Sequence, residues 1–264
     1  GDNNKAISVY LALLEHVKDR VKKEELLELL GNTYFKGGFL QRSNDIFLRI
    51  LKFSPRNKNA LKSLLLVNEK LKNFKKAKEI AQALEELNID VSVEKVYFDT
   101  LIILNDPILS YEKRTELLFE IFKENKIIQR IFATFLIQSN REFFFSNIDM
   151  FDCEKLIDIL WYQKKEDIDF DKIKNNQFLN ELYSAKNYIN SVSTSSDFDL
   201  NILILINNYQ KDIKTNLTFE FICKSCKHSS PFYEARCPNC HSILSLEVKH
   251  HLTKAYELSN QSLQ

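Results

Sequence analysis

Apolar residues recur every three to four positions along most of the chain, which is the spacing of one face of an α-helix. The regular part of this pattern covers residues 5–16, 24–53 and 58–91. Amphipathic segments continue beyond it and predict further helices over residues 110–125, 127–139, 153–165, 178–192 and 197–210. The pattern therefore predicts a mostly α-helical body that extends to about residue 210.

Residues 24–57 also match the spacing of a tetratricopeptide repeat, which is a helical hairpin of about 34 residues. Gly31 and Ser43 are the small residues at which the two helices approach each other. Tyr34 and Phe47 fill the space between repeats, and Pro55 stops the second helix. This segment therefore predicts one complete repeat of an α-solenoid.

The neighbouring segments extend the repeat pattern in both directions. Residues 58–91 predict a second hairpin, in which Ala77 and Ala81 are the small residues. Residues 5–16 predict the second helix of an earlier repeat. The first helix of each hairpin lines the concave surface of such arrays, where partner proteins bind. The candidate partner-binding residues on this surface are Glu25, Glu28, Asn32, Phe35, Lys36, Asn59, Lys62, Leu66 and Glu69.

The composition excludes several classes of function. The formal net charge is only +1, so no strong field favours nucleic acid or an anionic membrane surface. All glycines lie within the first 38 residues, which excludes the glycine-rich phosphate loops of nucleotide-binding proteins. No apolar run approaches the roughly 18–20 residues of a membrane helix, and we expect no signal peptide within these residues. With no catalytic motif in the chain, we expect a non-enzymatic protein.

Four of the five cysteines form two C-x-x-C pairs separated by ten residues, namely Cys223, Cys226, Cys237 and Cys240. Each pair can bring two sulfur atoms to one ion, so the two pairs together predict a tetrahedral metal site. An all-sulfur set favours one Zn(II), with a single iron as the alternative. Two disulfides are the competing interpretation, although paired C-x-x-C motifs are more typical of a metal site in a reducing compartment.

Three other residues could be mistaken for functional groups. His228 and His241 lie beside the cysteine pairs, but four thiolates already complete a tetrahedral shell, so we expect neither to bind the metal. Cys153 lies between apolar residues and is predicted to be a buried structural thiol.

Short alternating segments around the cysteines predict three strands over residues 218–222, 232–236 and 242–248. They are too short to form a core alone, so the metal would supply most of the folding free energy, on the order of 10 kcal/mol. A short helix is expected after them. The predicted organisation is therefore tetratricopeptide repeats (1–91, the first partial), degenerate helical repeats (92–216), a metal module (219–249) and a helical tail (250–264).

The segments "YFKGGFLQRSNDIFLRIL" and "NFKKAKEIAQAL", followed by C-x-x-C, ten residues and "CPNC", resemble the lipopolysaccharide assembly protein B family. The resemblance covers residues 1–89 and 219–243 well and the region between them weakly. Repeats followed by this cysteine motif form a specific combination. The resemblance implies a mostly α fold, a tetratricopeptide-type α-solenoid with a small C-terminal β-rich rubredoxin-like metal module.

The same resemblance implies a function. Members of this family are bacterial adaptors at the cytoplasmic face of the inner membrane, held there by one N-terminal helix, which we expect to be absent from this sequence. They bind the membrane protease FtsH and the deacetylase LpxC and so regulate lipid A synthesis. Their metal module packs against the repeats. We therefore expect protein partners, no nucleic acid, and membrane attachment only through such an anchor.

One departure from the usual pattern concerns the residue after each cysteine pair, where metal knuckles usually have glycine in a left-handed conformation. Lys227 and His241 occupy these positions here. Each is expected to reduce the stability of the fold by roughly 1 kcal/mol relative to glycine.

Two other functions remain open. One is a rubredoxin-like iron protein that transfers electrons. The other is a zinc-ribbon nucleic-acid binder, using the basic and aromatic residues Lys224, Lys227, Phe232, Tyr233, Arg236 and Lys249. Glutamates interleave with these basic residues and cancel most of their charge.

Overall fold

A computed structural model describes residues 3–209 and 215–254 and divides the chain into two compact units, Gly1–Ser110 and Tyr111–Gln264. The first unit is a series of antiparallel helices, each of which packs against the next along the chain. They are α1 (Asn3–His16), α2 (Arg20–Lys36), α3 (Leu40–Phe53), α4 (Lys58–Lys70), α5 (Phe74–Glu85) and α6 (Ser92–Leu104). The repeat-like packing of helices predicted from the sequence is confirmed, and this unit extends beyond residue 91 to include α6.

The close approach of α2 and α3 depends on the absence of a side chain at Gly31. A Cβ atom there would lie 2.7 Å from Cζ of Phe47, whose ring is fully buried against the glycine. The hydroxyl of buried Ser43 donates a hydrogen bond to the Gly31 carbonyl at 2.8 Å. Helix α3 ends at Phe53, two residues before Pro55. These positions are the ones that the repeat spacing singles out.

Successive hairpins of the first unit are joined by buried apolar contacts and by polar side chains. Ala77 and Ala81 are fully buried where α5 packs against its neighbours. Asn57 caps the start of α4 with its side-chain oxygen. Its amide nitrogen donates to the carboxylates of Glu24 and Glu28 on α2, at 2.6 and 2.8 Å. One side chain thus fixes the end of one hairpin and the start of the next.

The second unit contains shorter helices around an aromatic core. Phe122, Phe132, Phe144 and Phe151 are all buried and contact one another. The helices are α7 (Tyr111–Glu124), α8 (Gln129–Ser139), α9 (Arg141–Ser146), α10 (Ile157–Trp161), α11 (Phe170–Ile173), α12 (Gln177–Ala185) and α13 (Phe198–Tyr209). The helix predicted over 197–210 is therefore confirmed over nearly its whole length.

Two of the helices predicted in this unit are shorter in the structure than the sequence indicates, so their predicted lengths are wrong. The segment 153–165 forms a 3₁₀ turn, Cys153–Leu156, followed only by the single turn of α10. The segment 178–192 is helical only to Ala185, because Asn187 adopts a left-handed conformation with φ of 59°. The amide of Tyr188 then donates back to the Tyr183 carbonyl at 2.9 Å, which is the closing bond of a Schellman motif.

The C-terminal part of the second unit is a three-stranded antiparallel sheet in the order β2-β1-β3. Its strands are β1 (Thr215–Cys223), β2 (Ser229–Ser230) and β3 (Leu246–Lys254). The predicted strand at 232–236 is wrong, because the Ser230 side chain bonds both backbone groups of Phe232 and turns the chain there. The predicted helical tail is also wrong over 250–254, which pairs with β1. Residues 255–264 lie outside the described part of the chain.

The sheet presents one apolar and one polar face, as period-two alternation requires. On the inner face, the ring of Phe219 packs edge-on against Tyr162, with 5.7 Å between ring centroids. On the outer face, Nε2 of His251 lies 3.0 Å from the Glu220 carboxylate. Among the described residues, no helix is both long enough and apolar enough to cross a membrane.

Candidate metal centre

The structure brings the four predicted cysteines into one cluster in which all four Sγ atoms lie within 4.8 Å of one another. The Sγ atoms of Cys223 and Cys240 are 3.7 Å apart, and those of Cys226 and Cys237 are also 3.7 Å apart. A tetrahedral zinc site with Zn–S bonds of about 2.3 Å requires an S···S separation of about 3.8 Å. The cluster therefore has the size of a tetrahedral four-sulfur site able to hold a metal ion.

The disulfide interpretation is wrong. All four cysteines are free thiols, and their sulfur atoms are separated by far more than the roughly 2.05 Å of a disulfide bond. The cluster instead keeps its sulfur atoms close together without joining any pair of them.

Each C-x-x-C pair lies in a tight turn, and the two turns have the same backbone hydrogen bonds. In the first turn, the Cys223 amide donates to the His228 carbonyl and the Lys227 amide donates to the Cys223 carbonyl, both at 2.9 Å. The second turn repeats these two bonds at 2.9 and 3.0 Å, among Cys237, Ser242 and His241. This internal repetition explains how one short motif, used twice, directs four sulfur atoms to a single point.

The residue after each cysteine pair has the left-handed conformation expected from the sequence. Lys227 has φ of 60° and His241 has φ of 62°. This conformation suits glycine and costs other residues about 1 kcal/mol. Both turns therefore keep the knuckle geometry at a local energetic cost.

The thiol of Cys223 is surrounded by hydrogen-bond donors. Burial opposes its ionisation, but the hydroxyl of Ser245 at 3.3 Å and the backbone amides of Ser225 and Cys226 outweigh that effect. Together they lower the pKa of Cys223 to about 5. A thiolate at this position is thus stabilised by the protein itself, as a metal ligand requires.

The second cysteine pair contains two different environments. Burial raises the pKa of Cys237 to about 11, and the neighbouring sulfur atoms of Cys223 and Cys226 add to this effect. Cys240 is exposed, and hydrogen bonds with the side chain and backbone of Ser242 lower its pKa. The site therefore has a buried side and a solvent-facing side.

The cysteine cluster is joined to the helices of its own unit through Arg130 on α8, a residue that sequence analysis did not single out. Its guanidinium carbon lies 4.1 Å from the ring centroid of Tyr233 and 5.2 Å from that of Phe221. Its Nη1 atom donates to the Asp158 carboxylate at 2.9 Å, and both side chains are at least 86% buried. This cation–π and ionic contact fixes the four-cysteine module against α8 and α10.

Two further polar contacts hold the sheet against α10 and α13. The indole nitrogen of Trp161 donates to the Asn216 side chain at 3.0 Å. Nε2 of His250 on β3 lies 3.1 Å from the carboxylate of Asp197, which also caps the start of α13. The periodicity of the sequence gave no signal for these contacts, because each joins residues far apart in the chain.

The two histidines beside the cysteine pairs and the fifth cysteine of the chain differ in exposure. His228 and His241 are exposed, and neither belongs to the group of side chains that could surround one ion. Cys153 is buried outside the cluster, and its burial raises the pKa of its thiol to about 12. It is therefore an unreactive core thiol.

The predicted partner-binding residues lie on α2 and α4, and none of them is fully buried. Three already contact neighbouring helices: Glu28 accepts from Asn57, Asn32 from Ser63 and Glu69 from Tyr97. The exposed members of the set are Glu25, Asn32, Lys36, Asn59 and Lys62, and the half-buried members are Glu28, Phe35, Leu66 and Glu69. Their contact with a partner stays a prediction.

The fold and the site together define a helical-repeat protein with a C-terminal four-cysteine module able to hold a metal ion. No protein-family model matches the chain, and a search of curated proteins finds no match either.

Proposed function

We propose that this chain is a non-enzymatic scaffold whose four cysteines hold one zinc ion. The observation that carries the proposal is the sulfur cluster, whose 3.7 Å separations suit tetrahedral zinc and whose module is fixed to its own helices by Arg130. Zinc in such a site supplies folding free energy and no redox chemistry. The cysteine module would then act as a rigid structural element fixed to the helices of the second unit.

Helical repeats bind partner proteins through the first helices of their hairpins. In the first unit these are α2 and α4, which carry the nine candidate residues. Five of these residues are exposed, and they combine one carboxylate, two amides and two lysines. A surface of this kind suits hydrogen bonding to an extended segment of a partner.

A more specific role follows from the resemblance to the lipopolysaccharide assembly protein B family. We propose that the scaffold acts at the cytoplasmic face of the bacterial inner membrane. There it would bring the deacetylase LpxC to the protease FtsH and so regulate lipid A synthesis. The support for this role is the order of the elements, hairpins first and cysteine module last, together with the spacing of the cysteines.

The experiment is a binding assay with purified LpxC and purified FtsH, using the zinc-loaded chain as bait. Cys237→Ser/Cys240→Ser should lose both zinc and binding, while Cys153→Ala, which changes a buried thiol outside the cluster, should retain both. A second variant, Asn32→Ala/Lys62→Ala, should retain zinc and weaken binding. If the chain contained zinc but bound neither LpxC nor FtsH, the adaptor role would be wrong and only the proposal of a zinc-holding scaffold would stand.

A second candidate function, electron transfer by a single iron, is favoured by one observation. Cys240 is exposed and Cys226 is partly exposed, so one edge of the site faces solvent. Such an edge suits exchange of electrons with a partner. A red protein with a reversible one-electron couple would support this function over the scaffold.

A further inference from the structure

The first unit contains a groove between the start of α5 and the end of α6, well apart in sequence from the cysteine cluster. It has a volume of about 590 Å³. Its apolar part includes Phe74, Ile102 and Ile108, and its rim includes Lys72, Lys75 and Lys76. We name it the α5–α6 groove.

The apolar part of the groove is held open to solvent. Ile108 is 90% exposed, the most exposed of the large hydrophobic residues in the described part of the chain. Its backbone amide donates to the Asp106 side chain at 2.9 Å, which fixes the turn that carries it. Ile108 and the half-buried Phe74 both line the groove, so its apolar part is accessible to one apolar side chain of a ligand.

The rim of the groove is positively charged. Lys72, Lys75 and Lys76 are all exposed, and none forms an ion pair with any residue that the structure describes. By contrast, the next lysine of the same helix, Lys78, is paired with Asp99. The lining contains one acidic residue, Asp106, so its lysines outnumber its carboxylates three to one. The groove thus has a surplus of positive charge.

The positions of these lysines are unfavourable for the helices that carry them. Lys72 has φ of 59° in a Schellman motif after α4, a position that favours glycine or asparagine. Lys75 and Lys76 lie in the first turn of α5, which contains no acidic residue, although the start of a helix favours negative charge. The helices α2 and α4 also have lysines and no acidic residue in their first turns, so the left-handed Lys72 is the feature that sets the groove apart.

We propose that the α5–α6 groove binds an acidic segment of a partner protein. One apolar side chain of that segment enters the space between Phe74 and Ile108, and its flanking carboxylates pair with the three lysines. None of the residues that line this groove is among the nine candidate residues on α2 and α4, although Lys72 follows Glu69 closely in the chain. The proposal therefore goes beyond the scaffold role described above, and it holds whether or not the cysteines bind zinc.

The test uses fluorescently labelled peptides and the full chain, with binding measured by anisotropy. One peptide pool has acidic residues around a variable apolar position, a second has alanine at that position, and a third has basic residues around the apolar one. The groove variant is Lys72→Glu/Lys75→Glu/Lys76→Glu. The matched control, Lys22→Glu/Lys52→Glu/Lys58→Glu, reverses the same number of exposed lysines elsewhere in the first unit.

We expect the wild-type chain to bind the acidic-apolar pool best. The groove variant should lower the affinity for this pool about tenfold or more, and the control variant should lower it far less. Ile108→Asp should weaken it as well, and added salt should reduce binding further. Equal loss in the groove and control variants would overturn the proposal, since it would indicate a general charge effect. No preference of the wild-type chain for acidic over basic pools would overturn it too.

Discussion

Arg130 lies over the ring of Tyr233, with 4.1 Å from its guanidinium carbon to the ring centroid, while it also pairs with Asp158. Tyr233 belongs to the loop between the two cysteine pairs and packs against the buried cluster that contains Cys223 and Cys237. Arg130 therefore connects the surroundings of the sulfur atoms to the helices of the second unit.

Removing Arg130 should destabilise this unit strongly. Arg130→Ala leaves the carboxylate of Asp158 buried without its cation and strips the Tyr233 ring of its cover. We expect a loss of about 3 kcal/mol in the free energy of unfolding, measured by urea denaturation of the zinc-loaded protein. Lys113→Ala, which removes an exposed pair with Glu116, should cost less than about 0.5 kcal/mol.

A double substitution separates the loss of the ion pair from the loss of packing. Arg130→Met/Asp158→Leu removes both charges and keeps apolar volume, so it should recover much of the stability lost by Arg130→Ala. If Arg130→Ala alone were no more harmful than Lys113→Ala, the contact would have no role in holding the module.

Gly31→Ala should destabilise the first unit, because the new methyl group would lie 2.7 Å from Phe47. We expect a loss of about 1–3 kcal/mol, measured by the shift of the urea midpoint. Phe47→Leu makes room for the methyl group. In the Phe47→Leu background, Gly31→Ala should therefore cost less stability than it does in the wild-type chain. An equal effect of Gly31→Ala in both backgrounds would show that steric crowding is not the cause.

Glycine at the two left-handed positions of the cysteine turns should stabilise the protein. Lys227→Gly and His241→Gly each remove a Cβ from a backbone with φ near 60°. We expect each to gain about 0.5–1 kcal/mol in urea denaturation of the zinc-loaded protein. Ser225→Gly is the matched control, since this residue of the same turn lacks a positive φ, and it should lose stability instead.

Zinc affinity should rise with pH. Zinc binds thiolates, and the pKa of Cys237 is raised to about 11, so this thiol holds its proton near neutral pH and must release it on binding. Cys223, with a pKa of about 5, is already ionised there. Competition with a chelator from about pH 6 to about pH 8 should show affinity increasing about tenfold per pH unit for each proton released. A flat profile would contradict this assignment.

The sequence predicted the parts of the structure that depend on local pattern. Helical periodicity located the hairpins, and the small residues Gly31 and Ser43 marked the closest helix contact. The cysteine spacing predicted the four-sulfur cluster, and the missing glycines at 227 and 241 predicted two strained positions. Each of these features is specified by residues close together in the chain or by a short repeated motif.

The sequence failed where distant residues decide the structure. Residues 250–254 look helical in isolation, but β1 supplies partners for their backbone groups. The strand expected at 232–236 does not form, because the side chain of Ser230 stabilises a turn there. The contact of Arg130 with Tyr233 joins residues about a hundred positions apart, so no periodicity could reveal it.

The most direct test of the central claim is to identify the metal in the four-cysteine cluster. The chain would be purified from cells supplied with both zinc and iron, and then examined by elemental analysis and X-ray absorption. The account predicts one zinc ion per chain with four sulfur neighbours at about 2.3 Å, and its loss in Cys237→Ser/Cys240→Ser. One iron per chain with a reversible redox couple would contradict it and support electron transfer instead.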